Sequence, residues 1–387
     1  MPRSLSGAVR SVPPSGIRRF FDIAAAQPDI ISLGVGEPDF DTPGFITRAG
    51  TADLLKGGTH YTSNWGKLEL REAIAERYHK RARVDYDPKG EILVTVGASE
   101  AVDLSVRALC DPGDEFVVVD PSYVSYRPDI AFAHGKAVSV DADRAKGFEL
   151  DPDAIRAAVS PRTKAIIINN PCNPTGSLYG KKVLEEVASI ARDADCYIIA
   201  DEIYEDLVYG EKHTSMASLK GMKEHAIVIS GFSKGFAMTG WRLGFAVGNP
   251  EVIGAMMKVH QYSIMCAPTP AQAAAIVALH NKQTAYAVDK MRREYDRRRK
   301  LIVGGFNKMG LTCHTPHGAF YAFPSIESTG LTSDEFAERS IGEARVAVVP
   351  GSAFGLGGEG HIRASYATAY GKIERALERI EDFLGRL

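Results

Sequence analysis

Six short apolar runs constrain this chain more than any other feature: EILVTV at 91–96, EFVVVD at 115–120, KAIIINN at 164–170, CYIIAD at 196–201, AIVIS at 226–230 and LGFAVG at 243–248. They are rich in β-branched residues and barely alternate with polar ones, so both faces of each strand must be buried. A mainly parallel sheet covered by helices provides that burial, which makes the fold class α/β. Helical spacing fills the gaps. Ala101, Leu104, Ser105, Ala108 and Leu109 follow the turn GAS, and KKVLEEVASIARDAD separates the third run from the fourth. After Pro270 the pattern changes to a long helical stretch from Ala271 to Met309. GAFYAFPSI, DEFAERSIGEA, VAVVPG, HIRASY and a terminal helix KIERALERIEDFLGRL follow, which predicts a smaller α+β region.

Composition narrows the function. A formal net charge of −2 over 387 residues offers no field for nucleic acid. The basic run MRREYDRRRK is broken by Glu294 and Asp296, as a solvated helix face would be. No apolar run approaches the roughly 18 residues that span a bilayer, so the chain reads as soluble, with small molecules or further copies of itself as partners. The five cysteines, at 110, 172, 196, 266 and 313, include no C-x-x-C. Neither disulfides nor a metal site is expected, and the compartment reads as reducing and cytoplasmic. Cys196 reads as core and Cys172 as a small loop thiol. The N-terminal MPRSLSGAVRSVPPSGIRRF reads as an extended arm of the mature protein, because Pro13 and Pro14 interrupt any amphipathic helix. GLGGEG at 355–360 matches a dinucleotide fingerprint in letters alone, since strand-like HIRASY follows where a helix is needed.

In an open parallel sheet, chemistry collects beyond the carboxyl ends of the strands. Four such ends carry complementary groups. TVGASEA supplies backbone N–H groups at Ala98 and Ser99 where a helix begins, and NNPCNPTG supplies Asn173. IIADEIYE supplies Asp201 and Tyr204, and VISGFSKGFAMTGWR supplies Lys234 and Arg242. Alone, each has an ordinary explanation as a solvated lysine, a turn asparagine or a capping aspartate. Together they suit a ligand with an aldehyde for the amine, a phosphate for the guanidinium and helix start, and a protonated ring nitrogen for the carboxylate. Pyridoxal 5′-phosphate has all three.

The ordered set ISLGVGEPDFDTP, HYTSNWG, NNPCNPTG, ADEIYEDLVY, SGFSKGFAMTGWRLG and HIRASYA resembles the class I aminotransferases of pyridoxal-phosphate fold type I over nearly the whole chain. The resemblance implies a large cofactor-binding domain at residues 46–285, with a mainly parallel seven-stranded sheet between helices. Residues 286–387 would form a C-terminal small domain, and residues 1–45 an N-terminal arm and the start of that domain. It implies Lys234 as the Schiff-base lysine, Asp201 as the partner of the pyridinium nitrogen, and Asn173 and Tyr204 as donors to the cofactor's phenolic oxygen. Lys234, Asp201 and Tyr204 form the implied catalytic set. Tyr123 matches the aromatic that stacks on the ring; Ala98, Ser99 and Arg242 match the phosphate ligands. Arg363 would grip the substrate's α-carboxylate, aided by Asn173 and the backbone of Gly36. Tyr61 would cross a homodimer interface to the neighbouring cofactor's phosphate. Gly231 departs from the pattern, standing where the family often has a phosphate-binding serine; Ser230 or Ser233 would substitute, with Ser233 the choice. Ser15, Gly16, Ile17 and the SNW loop are expected to line the side-chain pocket. The implied reaction moves an amino group from an α-amino acid to a 2-oxo acid, with 2-oxoglutarate as acceptor, by a ping-pong mechanism. The alternative is β-elimination or other carbanion chemistry on the same scaffold.

Overall fold

The computed structural model describes residues 4–14, 16 and 27–387. One sheet contains β1 (Ile92–Thr95), β2 (Glu115–Asp120), β3 (Lys136–Asp141), β4 (Thr163–Asn169), β5 (Tyr197–Asp201), β6 (Ala226–Gly231) and β7 (Gly244–Val247). Their order is β1-β7-β6-β5-β4-β2-β3. β7 runs antiparallel to both neighbours, and the other pairs are parallel. Six strands coincide with the six apolar runs. The seventh, β3, lies at the sheet edge and exposes part of its surface, so its residues carry no continuous apolar signal.

Successive strand residues point to opposite faces, and here both faces are packed. Val94, Val117, Ile166, Ile198 and Val228 join one apolar cluster, while Leu93, Val118, Ile167, Ile199 and Ile227 join another across the sheet. Each such side chain, fully buried, contributes about 1.5–3 kcal/mol.

The helical stretch expected from 271 to 309 is two helices, Thr269–His280 and Gln283–Lys308. Asn281 divides them, its Oδ1 accepting the Gln283 N–H at 2.8 Å. The expected division at residue 286 falls inside the second helix, near its start. That helix carries the basic run, but the run is not simply a solvated face: Tyr295 and Arg298 are buried, and Arg298 pairs with Asp39 and Glu294. Gly7–Ser11 forms a short helix where an extended arm was expected, and it ends before the two prolines.

The C-terminal region contains an antiparallel sheet of Val349–Pro350, Ile362–Ser365 and Tyr321–Ala322, with the helix Tyr370–Leu384 beyond it. Ile31–Ser32 pairs in parallel with Val346–Ala347, joining an early segment to this late one. Leu33, Tyr295, Phe306, Phe320, Ile362 and Phe383 share its apolar cluster. Cys172 and Cys196 are both buried. Among the described residues, no helix is long and apolar enough to cross a membrane.

Candidate active site

Parallel strands deliver their carboxyl ends to one side of the sheet. β4 ends at Asn169 and β5 at Asp201, directly paired in register. Lys234 follows the end of β6, and the helix Gly97–Leu109 begins just after β1. Between these ends and the C-terminal region lies a cavity of about 830 Å³. Gly36, Ala98, Ser99, Tyr123, Asn173, Asp201, Tyr204, Ser233, Lys234, Arg242 and Arg363 all line it. Tyr61 does not; it is 80% exposed on the protein's surface. The SNW loop does not line this cavity either, because Asn64 turns to the Met265 carbonyl at 2.9 Å. Pro14 reaches the cavity and Gly16 does not, whereas Ser15 and Ile17 lie outside the described residues.

Lys234 Nζ donates to the Gly36 carbonyl at 2.5 Å and lies 5.8 Å from the rings of both Tyr204 and Phe320. Burial, then the positive charges of Arg363 and Arg242, pull its pKa down to about 8 against the opposing pull of Glu37 and Asp201. Asp201 has the converse problem. Its Oδ2 accepts from the Tyr126 hydroxyl at 2.7 Å and its Oδ1 from the Ile203 N–H at 3.2 Å, but no ion pair reaches it among the described residues. Burial raises its pKa above the usual carboxylate range.

Arg363 is 2% exposed. Its Nη1 donates to Asn173 Oδ1 at 2.9 Å and its Nη2 to the Gly34 carbonyl at 2.6 Å, while its buried Nε has no partner among the described residues. Arg242 donates to the Thr239 carbonyl at 2.9 Å and remains exposed to the cavity. A Cβ on Gly97 would lie 2.6 Å from Arg242 Nη2, so glycine there makes room for the fork beside a helix start. That combination is an anion cradle. A Cβ on Gly231 would lie 2.9 Å from Gly244 Cα and 3.0 Å from the Leu243 carbonyl oxygen, which leaves no space for a serine. Of its neighbours, Ser230 donates to Glu205 at 2.8 Å, away from the cavity, and Ser233 faces the cavity.

The family model for aminotransferase class I and II matches residues 28–380. The chain belongs to this family. It is 50% identical to an aspartate aminotransferase of Pyrococcus abyssi over 382 residues, covering 98% of both chains. It is 48% identical to aromatic-amino-acid aminotransferase 2 of Thermococcus litoralis, again covering 98% of both. The structure superposes on that of the Thermus thermophilus aspartate aminotransferase with maleate at a TM-score of 0.95 and 40% identity, covering 98% of this chain and 100% of that one.

This aminotransferase also places in its site residues that were not singled out from the sequence. Tyr321 lines the cavity and shares a 2.8 Å hydrogen bond with the Tyr204 hydroxyl, and its ring lies 4.5 Å from the Arg363 guanidinium. Asn169 donates to the Asp201 carbonyl at 2.9 Å and accepts the Asn173 N–H at 2.7 Å. Tyr126 reaches Asp201 from a separate helix. Only Asn169 carried a usable signal, as the last residue of an apolar strand. Pyridoxal 5′-phosphate, the cofactor the family implies, suits the cavity's unmet chemistry: an amine of lowered basicity, a buried carboxylate with no ion pair among the described residues, and a guanidinium fork beside a helix start.

Proposed function

We propose that this aminotransferase uses pyridoxal 5′-phosphate to move the amino group of an α-amino acid to a 2-oxo acid by a ping-pong mechanism, with 2-oxoglutarate as acceptor. The lowered basicity of Lys234, in the cavity that also holds Asp201, Arg242 and Arg363, carries this reading. When bound, the cofactor supplies a sink for the electron pair left at the substrate's α-carbon.

The protein supplies position and proton transfer. Arg242, Ser233 and the N–H groups of Ala98 and Ser99 would hold the phosphate, while Asp201 would face the ring nitrogen. Asn173 and Tyr204 would donate to the phenolic oxygen, and Tyr123 would stack on the ring. Arg363, whose Nε is without a partner among the described residues, would take the substrate's α-carboxylate together with Asn173 and Gly36. That two-point grip aims the α-hydrogen at Lys234. With a pKa of about 8, Lys234 Nζ is neutral often enough near neutral pH to accept that proton from the α-carbon and to give it up again. The exposed Tyr61 would complete the phosphate site of a second copy in a homodimer. We place the cofactor-binding domain at 46–285, flanked by segments 1–45 and 286–387 that contribute the small domain, a division supported by the pairing of Ile31–Ser32 with Val346–Ala347. The free cysteines suit a cytoplasmic protein.

The test is a set of single half-reactions in which amino acids are mixed with the cofactor-loaded protein and loss of its visible absorbance is timed. Aspartate and aromatic donors come first, because relatives sharing about half their residues with this chain bear those names. Bleaching with release of the matching 2-oxo acid, reversed by 2-oxoglutarate, supports the reading. Ammonia and pyruvate formed without an acceptor would replace it with β-elimination.

A further inference from the structure

Asp201 is held at three points: Tyr126 at Oδ2, the Ile203 N–H at Oδ1, and Asn169 at the backbone carbonyl. The first differs in kind. Two are contacts made by its own turn and its partner strand, whereas Tyr126 comes from the helix Tyr126–Phe132, 75 residues away in sequence. Its ring is 1% exposed and packs edge-on against Tyr123, centroids 5.6 Å apart. A hydroxyl so enclosed has one way to point, and the carboxylate oxygen it meets is fixed with it. Asp201 itself lines the cavity.

We propose that Tyr126 is a positioning residue, whose hydroxyl sets the orientation of the Asp201 carboxylate and so strengthens its pairing with the cofactor's ring nitrogen. The proposal rests on the cofactor reading above. Burial favours the neutral form of Asp201, and among the groups that oppose it the Tyr126 hydrogen bond is the largest. Burial also pushes the tyrosine's own pKa well up, so the hydroxyl stays protonated and remains a donor.

The experiment titrates the apo-protein with two ligands: pyridoxal 5′-phosphate and its 1-deaza analogue, which carries C–H in place of the ring nitrogen. Tyr126→Phe should weaken binding of pyridoxal 5′-phosphate about tenfold, the size of one charge-assisted hydrogen bond. It should change binding of the analogue by less than about twofold, because the carboxylate then has no ring cation to meet. In the amino-acid half-reaction the rate constant should fall while the substrate concentration for half-saturation holds, since the Tyr126 hydroxyl bonds to Asp201 and the Arg363–Asn173 hydrogen bond does not involve it. Equal losses for both ligands would reduce Tyr126 to a structural tyrosine, and no loss for either would overturn the proposal outright. A wild-type protein that fails to bind pyridoxal 5′-phosphate would sink the parent reading instead. Should Tyr126→Phe not fold, Tyr126→His retains a ring donor; it should keep part of the wild-type preference for the ring nitrogen, and complete loss of that preference would count against a donor role.

Discussion

Asp201 and Asp206 stand five residues apart, both buried, in opposite electrostatic settings. Asp206 meets Arg77 at 2.8 Å and Arg81 at 2.6 Å, and these charges hold its pKa down at about 2 although burial pulls the other way. Asp201 meets a hydroxyl and an amide but no cation among the described residues, and burial wins. The surroundings repeat the contrast. A cleft of about 1040 Å³ beside Asp206 is lined by Arg77, Arg81, Glu205 and Asp206, which neutralise one another. The 830 Å³ cavity at Asp201 is lined by an amine, two guanidinium groups and the carboxylates of Glu37 and Asp201, with no ion pair joining any of them. A buried acid matched by the protein's own cations fastens the fold; one left unmatched is disposed to meet a cation that arrives with a ligand.

The sharpest way to break this contrast is to exchange the effects of the two regions. Lys234→Ala should reduce steady-state transamination by roughly 10⁴-fold, the upper range for a lost proton-transfer group, whereas Asp206→Asn should leave turnover of the folded enzyme within a few-fold. Stability should reverse the ranking. Asp206→Ala takes one of two carboxylate partners from the mostly buried Arg77 and from the half-exposed Arg81, leaving both with Glu205, and should cost about 2–3 kcal/mol in urea unfolding of the apo-protein. Asp201→Asn removes an unmatched buried charge, so the apo-protein should lose less than about 1 kcal/mol or gain stability in the same measurement.

Thermal melts across pH should separate the regions by window. Asp206 has a folded-state pKa of about 2, below its ordinary 3.8, so its stabilisation is present above pH 4 and disappears as pH falls toward 2. Lys234 falls from 10.5 to about 8, so the unfolded chain binds more protons between those values and stability should rise with pH across that interval. Lys234→Met should abolish the alkaline rise and leave the acid limb intact. The smallest expected contrast is between two serines. Ser230→Ala removes the donor to Glu205 and should cost about 1 kcal/mol of stability with cofactor affinity unchanged, while Ser233→Ala should weaken pyridoxal-phosphate binding by several-fold with little effect on melting.

How far the sequence could be read follows the range of the forces involved. Apolar runs mark β1, β2 and β4–β7 because a strand buried on both faces needs apolar residues at every position. β3 escapes that signal because an edge strand does not need them. The break at Asn281 is equally quiet, for a single asparagine that ends one helix and accepts the first N–H of the next barely disturbs the helical pattern around it. In the site, Asp201, Asn173 and Lys234 were readable because each follows directly from a strand end. Tyr126 and Tyr321 were not, since a tyrosine in an apolar setting looks the same whether its hydroxyl meets a side chain lining the cavity or a backbone carbonyl.

The order of residues along the chain, by itself, determined which strands are buried and which chemical groups stand at their ends, because both are matters of neighbours within a few positions. Only the tertiary structure decided which groups meet across 75, 117 and 190 residues, as Tyr126 meets Asp201, Tyr204 meets Tyr321 and Asn173 meets Arg363. It also decided their charge, because a carboxylate's proton affinity depends on the water it loses and the cations it gains, and both are fixed by packing rather than by the residue's name.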